Sequence, residues 1–205
     1  MTDALRSLNG IQLDTLKELG SVGSGNAVSS LAKMLNKKVE MFVPVVNICE
    51  FKDISNFIGG GEQLIAGVLV NISGDINGMM MFIIREESAH TLLKILFHQD
   101  DDAQEDFSEI QLSALQEVGN ILASSYLGSL ASMIHKKIMP SVPYLSIDMA
   151  NAILSVPAIE FGKISDRVLF IESVFKAAGE DVSGYFILVP DLPSFQLILS
   201  SLGVK

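Results

Sequence analysis

The sequence predicts an α+β fold, internally duplicated about a pseudo-twofold axis, in which two long motif-bearing helices pack on a largely antiparallel sheet built from both halves. Three observations carry that prediction. Residues 16–46 laid over 115–145 without a gap share eleven identities in 31 positions, among them Leu16/Leu115, Glu18/Glu117, Gly20/Gly119 and Pro44/Pro143. A second register, offset by 106 instead of 99, lays Gly74-Asp75-Ile76-Asn77-Gly78 and the apolar run after it over Glu180-Asp181-Val182-Ser183-Gly184, so loops changed length between copies. A period near 100 residues is far longer than a solenoid repeat and implies two domain-sized halves, not an array. Finally, strands and helices alternate without a glycine-rich strand-to-helix phosphate loop, the pattern of an α+β chain.

The elements follow in order. Leu13, Leu16, Leu19, Gly23 and Ala27 fall on one face at helical spacing, predicting a first helix over 13–37. The branched run Val39 to Cys49 reads as a strand, with Pro44 placing it at an edge or a bend. A short helix at 53–58, capped by Asp53, precedes the Gly59-Gly60-Gly61 turn. Strands at 63–72 and 79–85 form a hairpin through Gly74 to Gly78, and 86–98 forms an amphipathic helix. The second half repeats the order: a helix over 108–137, a strand through Pro143 and Ile147, a helix or irregular segment near 150–156, hairpin strands at 167–176 and 184–189, and a helix over 192–202. The whole of 1–205 is thus expected to be a single domain of two homologous halves, about 8–99 and 107–202, joined by an acidic linker at 100–106.

With 49% apolar and 19% charged residues the chain buries a core. Its longest apolar runs, such as Met79 to Ile84, fall far short of the roughly 18 residues of a membrane span, and no basic-then-apolar leader opens the chain. A cytoplasmic protein without membrane contact is expected. A net charge of -10 argues against nucleic acid, whose phosphates are bound by clustered Lys and Arg. The single cysteine, Cys49, lacks metal-ligand spacing and reads as a structural strand residue.

Other apparent motifs dissolve on inspection. Gly20-Ser21-Val22-Gly23-Ser24-Gly25 has the wrong glycine order for a dinucleotide fingerprint and lies inside a helical pattern; its glycines would instead let a neighbouring backbone, from this chain or a partner, come close. The acidic stretch from Asp100 fails as a calcium loop, with Glu105 where glycine must turn and Gln111 where a bidentate glutamate should close the shell. His90, His98 and His135 are dispersed, no metal site is expected, and no serine has a His and carboxylate set around it. The Lys37-Lys38 and Lys136-Lys137 pairs near the helix ends would complement their dipoles.

What remains is a polar stripe. At 100° per residue Ser113, Glu117, Asn120 and Ser124 fall within about 60° of one another, opposite Leu112, Leu115, Val118, Leu122 and Tyr126. The first helix does the same with Asp14, Glu18, Ser21 and Gly25. An ordinary solvated helix face also carries polar residues, but here Glu holds one position in both copies, with a short polar group three residues on. Gly20 and Gly119 beside them would give another protein smooth ground to approach. Asn does not titrate near neutrality, yet its amide both donates and accepts hydrogen bonds and so can orient a water. Phosphoryl transfer needs chiefly such positioning and charge stabilisation. A Glu-x2-Asn pair lacks Mg²⁺ ligands and a cationic clamp, so a partner would have to bring them.

Asp/Ser-x3-Glu-x2-Asn-x22-Pro, present across Ser113, Glu117, Asn120 and Pro143 and echoed at Asp14, Glu18 and Pro44, resembles the CheC branch of the CheC/CheX/FliY phosphatases of chemotaxis. The resemblance spans essentially the whole chain. It implies a hydrolase acting on the phosphoaspartate of the response regulator CheY: Asn120 would position the attacking water, and Glu117 would dock on a lysine of CheY. No cofactor of its own is implied, Mg²⁺ coming with the phosphorylated CheY. The first copy departs from the motif, since Ser21 stands where the Asn should be and its short hydroxyl cannot present a carboxamide at the same reach. That site is expected to be impaired or silent, with Glu18 still able to support docking. The resemblance also implies an alternative, a non-catalytic binding module for CheY or for CheD, the receptor deamidase, whose surface would lie away from the two long helices.

Overall fold

The two long helices begin with the same device. The computed structural model describes residues 9–98, 106–161 and 167–203. Helix α1 (Gly10–Leu35) is opened by Asn9, whose Oδ1 accepts from the Gln12 backbone N–H at 2.9 Å while Gln12 Oε1 accepts from the Asn9 N–H at 2.9 Å. Helix α4 (Glu109–Ile134) repeats this reciprocal box with Ser108 and Gln111. Both end on a residue in the left-handed conformation, Asn36 at φ 48° and His135 at φ 53°, which are 99 positions apart. The helices therefore stop before the lysine pairs, correcting the predicted ends at 37 and 137. Lys38 bonds to Glu40 at 2.6 Å, so a dipole role for it is not what the structure shows.

Each helix is followed by a broken strand: β1 (Val39–Met41) and β2 (Val45–Glu50) in the first half, β5 (Ile138–Pro140) and β6 (Tyr144–Met149) in the second. Pro44 and Pro143 sit at the breaks, without a backbone N–H to offer a ladder. A single 3₁₀ turn at Phe51–Asp53 leads into α2 (Ile54–Ile58); Asp53 stands at its N-cap position but makes no side-chain capping bond. The counterpart α5 (Ala150–Phe161) is longer than the predicted 150–156. Hairpins β3 (Leu64–Gly74)/β4 (Gly78–Arg85) and β7 (Arg167–Ala177)/β8 (Glu180–Pro190) then lead to α3 (Glu86–Phe97) and α6 (Leu192–Ser201). The acidic linker, apart from Asp106, lies outside the described residues.

All strands join one antiparallel sheet in the order β1-β7-β8-β4-β3-β5, with β2 also on β7 and β6 on β3. Each half thus lends its β1/β2-type arm to the other half's hairpin. The halves meet at β4 and β8, where Phe82 faces Phe186 with ring centroids 5.3 Å apart.

The pairing also corrects the 106-residue register. Val39 pairs with Ala177 and its counterpart Ile138 with Gly74, a shift of 103 between β3 and β7. Ile72 pairs with Gly78 and its counterpart Phe175 with Val182, a shift of 104 between β4 and β8, so Phe82 and Phe186 are equivalent and mark the axis. The second hairpin turns at Ala178 and Gly179, φ 54° and 93°, the consecutive positive φ of a tight hairpin turn. Strand β8 consequently starts at Glu180, four residues before the predicted 184.

Both faces of the sheet are covered, so alternate residues serve two cores. Met80, Phe82 and Ile84 face the layer of α1, α3, α4 and α6, whereas Met79, Met81 and Ile83 face α2 and α5. Helices α1 and α4 lie side by side, joined by a 2.7 Å bond between the Ser125 and Ser30 hydroxyls and by Asn26 donating to Ser129 Oγ at 3.1 Å. Among the described residues no helix is long and apolar enough to cross a membrane.

Candidate functional site

The buried face of α4 runs through Leu115, Val118, Gly119, Leu122, Ala123, Tyr126 and Leu127, which leaves the stripe from Ser113 to Ser124 turned outward. Ser113 and Glu117 are exposed and Asn120 is half-buried. Asn120 Nδ2 donates to Glu117 Oε2 at 3.4 Å, and Ser124 Oγ donates to Asn120 Oδ1 at 3.4 Å. Both bonds are longer than the usual range for side-chain hydrogen bonds. An amide has two donor and two acceptor positions, so this row leaves half of them free.

Pro143 bonds to a residue beside the stripe. Its carbonyl accepts from Gln116 Nε2 at 3.2 Å, which ties α4 to the break between β5 and β6. Val142 and Tyr144 on either side are 70% and 61% exposed, so an apolar rim stands beside the helix. Gln116 carried no signal in the sequence, because its counterpart is Lys17 and the repeat does not preserve it.

The first copy has the outline and not the row. Asp14 is exposed and paired with Lys17 at 3.6 Å, Glu18 is exposed, and Ser21 is half-buried. Gly25 stands where Ser124 stands, so no hydroxyl waits one turn on. Lys17, in place of Gln116, turns to Asp14 and not to Pro44.

The repeated glycines Gly20 and Gly119 face inward, correcting the expectation that they smooth a docking surface. A Cβ on Gly119 would lie 2.5 Å from Val68 of β3, and one on Gly20 would lie 2.6 Å from Val46 of β2. Gly23 is filled by the Tyr126 ring, 2.5 Å from where its Cβ would be. These glycines let α1 and α4 sit close to the sheet and to each other. Tyr126 is buried with its hydroxyl unpartnered, and burial pushes that hydroxyl far above its ordinary range, so it packs and does not exchange protons.

The remaining sequence candidates take structural roles. Burial, helped by the Asp53 carboxylate, pushes the half-buried Cys49 thiol up to about 11, which makes it a poor nucleophile. His98 and His135 end helices in the left-handed conformation, and His90 stacks on Phe107 at 4.3 Å. Among the described residues no three His, Cys, Asp or Glu side chains converge to hold a metal ion.

The CheC-like family matches this chain twice, over residues 11–48 and 110–147, the spans from each long helix into the second edge strand. CheY-P phosphatase CheC of Bacillus subtilis (strain 168) is 33% identical over 204 residues, covering 96% of this chain and 98% of that protein. Among solved structures, Thermotoga maritima FliY aligns with a TM-score of 0.76 at 18% identity, over 96% of this chain and 98% of that one. CheX in a complex with CheY, BeF3 and Mg²⁺ from Borrelia burgdorferi aligns with a TM-score of 0.52 at 19% identity, over 80% of this chain and 92% of that one.

Proposed function

This chain belongs to the CheC-like family, and from that premise we propose that it is a phosphatase that hastens the loss of the phosphoryl group from phosphorylated CheY, with α4 as its working helix. The observation that carries the reading is the row Glu117, Asn120 and Ser124, in which a carboxamide is held on an open helix face with half its hydrogen-bonding capacity unspent. Asn120 orients a water in line with the phosphorus. The water oxygen forms the new P–O bond, the bond from phosphorus to the aspartyl oxygen breaks, and the products are a free carboxylate and inorganic phosphate, which takes the water's proton.

Glu117 docks on a lysine of the regulator. The stripe offers one carboxylate, one amide and two hydroxyls, too few anionic ligands for Mg²⁺ and no cation for the phosphoryl oxygens. CheY supplies both the phosphoaspartate and the Mg²⁺. The division of labour is economical: the partner brings the charge and this chain brings the water's orientation.

Mixing the protein with phosphorylated CheY and following inorganic phosphate is the direct test. Faster release than from CheY-P alone is expected; identical decay curves would sink the reading. Glu117→Gln keeps shape and removes the charge. It should raise KM for CheY-P about fivefold, worth ~1 kcal/mol for an ion pair at an open surface, with kcat within about twofold. A fall in kcat at constant KM would instead move Glu117 from docking into the chemical step.

A second activity, association with CheD, is favoured by one feature. Val156 and Ile159 on α5 are 50% and 69% exposed, on the sheet face opposite the two long helices, so both partners could bind at once. Adding this protein to CheD should change its rate of receptor deamidation, and Ile159→Asp should abolish the change. An unaltered deamidation rate with the intact protein removes this second activity.

A further inference from the structure

We propose that Ser124 is a positioning residue that sets the Asn120 carboxamide for catalysis, and that its loss as Gly25 helps silence the first copy; the inference rests on the phosphatase reading of the same site. The terminal torsion of an asparagine is broad and nearly two-fold, so an amide on an open helix face has no preferred way round. Two neighbours impose one here. The Glu117 carboxylate only accepts and therefore takes Nδ2, at 3.4 Å; the Ser124 hydroxyl then fills one side of Oδ1, also at 3.4 Å. A flipped amide would set Oδ1 against the carboxylate.

The Ser124 hydroxyl does not do what four other helical hydroxyls of this chain do. Thr15 donates to the Ile11 carbonyl at 2.8 Å, Ser29 to Gly25 at 2.8 Å, Thr91 to Glu87 at 2.9 Å and Ser132 to Gly128 at 3.0 Å, each one turn back along its own helix. Ser124 is one turn beyond Asn120 as well, yet its hydrogen goes to the Asn120 side chain. The duplication supplies the comparison. At Gly25 a Cβ would meet only Met41 Cε, at 3.8 Å, which is ordinary contact, whereas Gly20 and Gly23 have no room for any side chain. Packing therefore does not require glycine at 25. The first helix has the space for the hydroxyl and lacks it, in the copy that also lacks the amide.

Ser124→Ala should lower kcat for CheY-P hydrolysis about three- to tenfold, the scale of one hydrogen bond, with KM within about twofold and an unchanged melting curve. Ser124→Thr, which restores a hydroxyl, should return kcat to within about twofold of the parent. The reciprocal arm uses an Asn120→Ala background: Ser21→Asn with Gly25→Ser should exceed Ser21→Asn alone by at least about threefold. An unchanged kcat in Ser124→Ala, a lowered kcat that Ser124→Thr does not restore, or equal rates for the two first-copy variants overturns the proposal. Parent protein that leaves CheY-P decay unaltered sinks the phosphatase reading and this proposal with it; an active parent with an indifferent Ser124 sinks this proposal alone.

Discussion

Asn120→Ala is expected to slow the catalysed decay of CheY-P by on the order of 100-fold or more, while Ser21→Ala changes it less than about twofold. The asymmetry follows from what each group can do at its position. Asn120 is half-buried, its amide is steered by Glu117 and Ser124, and it is the only carboxamide on the outward stripe of α4. On the proposed role, in which Asn120 acts only when the water is in line, its removal should lower kcat and kcat/KM together, leaving KM near its parent value. Ser21 has neither the reach of a carboxamide nor a hydroxyl at position 25 to steer it. Steady-state phosphate release with acetyl-phosphate-charged CheY reads both variants in one assay. Retained activity in Asn120→Ala would move the chemistry off α4, and a matching loss in Ser21→Ala would mean that the first copy works after all.

The second large effect concerns a glycine next to the site and not part of it. In Gly119→Ala the new methyl would lie 2.5 Å from Val68 Cβ and Cγ2. Val68 is a short branched side chain on a central stretch of β3, so it cannot swing aside, and α4 must lift from the sheet. Overpacking of this kind costs about 1–3 kcal/mol, partly offset by the ~1 kcal/mol by which alanine is the better helix former. Thermal unfolding should shift down by several degrees. Activity should fall further than stability, by roughly tenfold or more, because Asn120 is the next residue and a displacement near 1 Å at a reacting geometry is costly. Adding Val68→Gly removes every Val68 atom the methyl meets, whereas Val68→Ala leaves the Cβ contact, so the Gly119→Ala/Val68→Gly double variant should be more stable than the sum of the single effects predicts. Gly128→Ala on the same helix meets nothing within 4 Å and should be neutral or slightly stabilising. A Gly119→Ala protein as stable as its parent would show that the helix can ride further from the sheet than the close contact implies.

The role of the glycines is not legible in the sequence. Both helices show Gly two residues after Glu, and from one helix alone a glycine next to a polar stripe reads equally well as smooth outer ground or as an inner close approach. Which it is depends on whether Val46 and Val68 stand beneath it, and they come from strands that pair across the halves. The hairpin register failed for a related reason. Gly74 to Gly78 is a visible turn, and a matching glycine at 184 drew the second copy's turn to the wrong place. The chain turns at Ala178 and Gly179; alanine rarely takes positive φ, so Gly179 alone carried the local signal and Gly184 outweighed it. Gln116 was invisible because its carbonyl partner lies 27 positions away.

The duplication, the order of elements and the stripe Ser113, Glu117 and Asn120 with its incomplete copy at Asp14, Glu18 and Ser21 are all legible in the order of residues, because helical and strand periodicities are local and a repeat exposes itself by identity at fixed offset. It took the folded chain to show that the shared sheet joins at Phe82 and Phe186, that each half's edge arm crosses to the other, and that Gly20 and Gly119 seat the helices. Those features depend on which distant surfaces meet once apolar faces are buried, and nothing in a window of neighbouring residues encodes the partner.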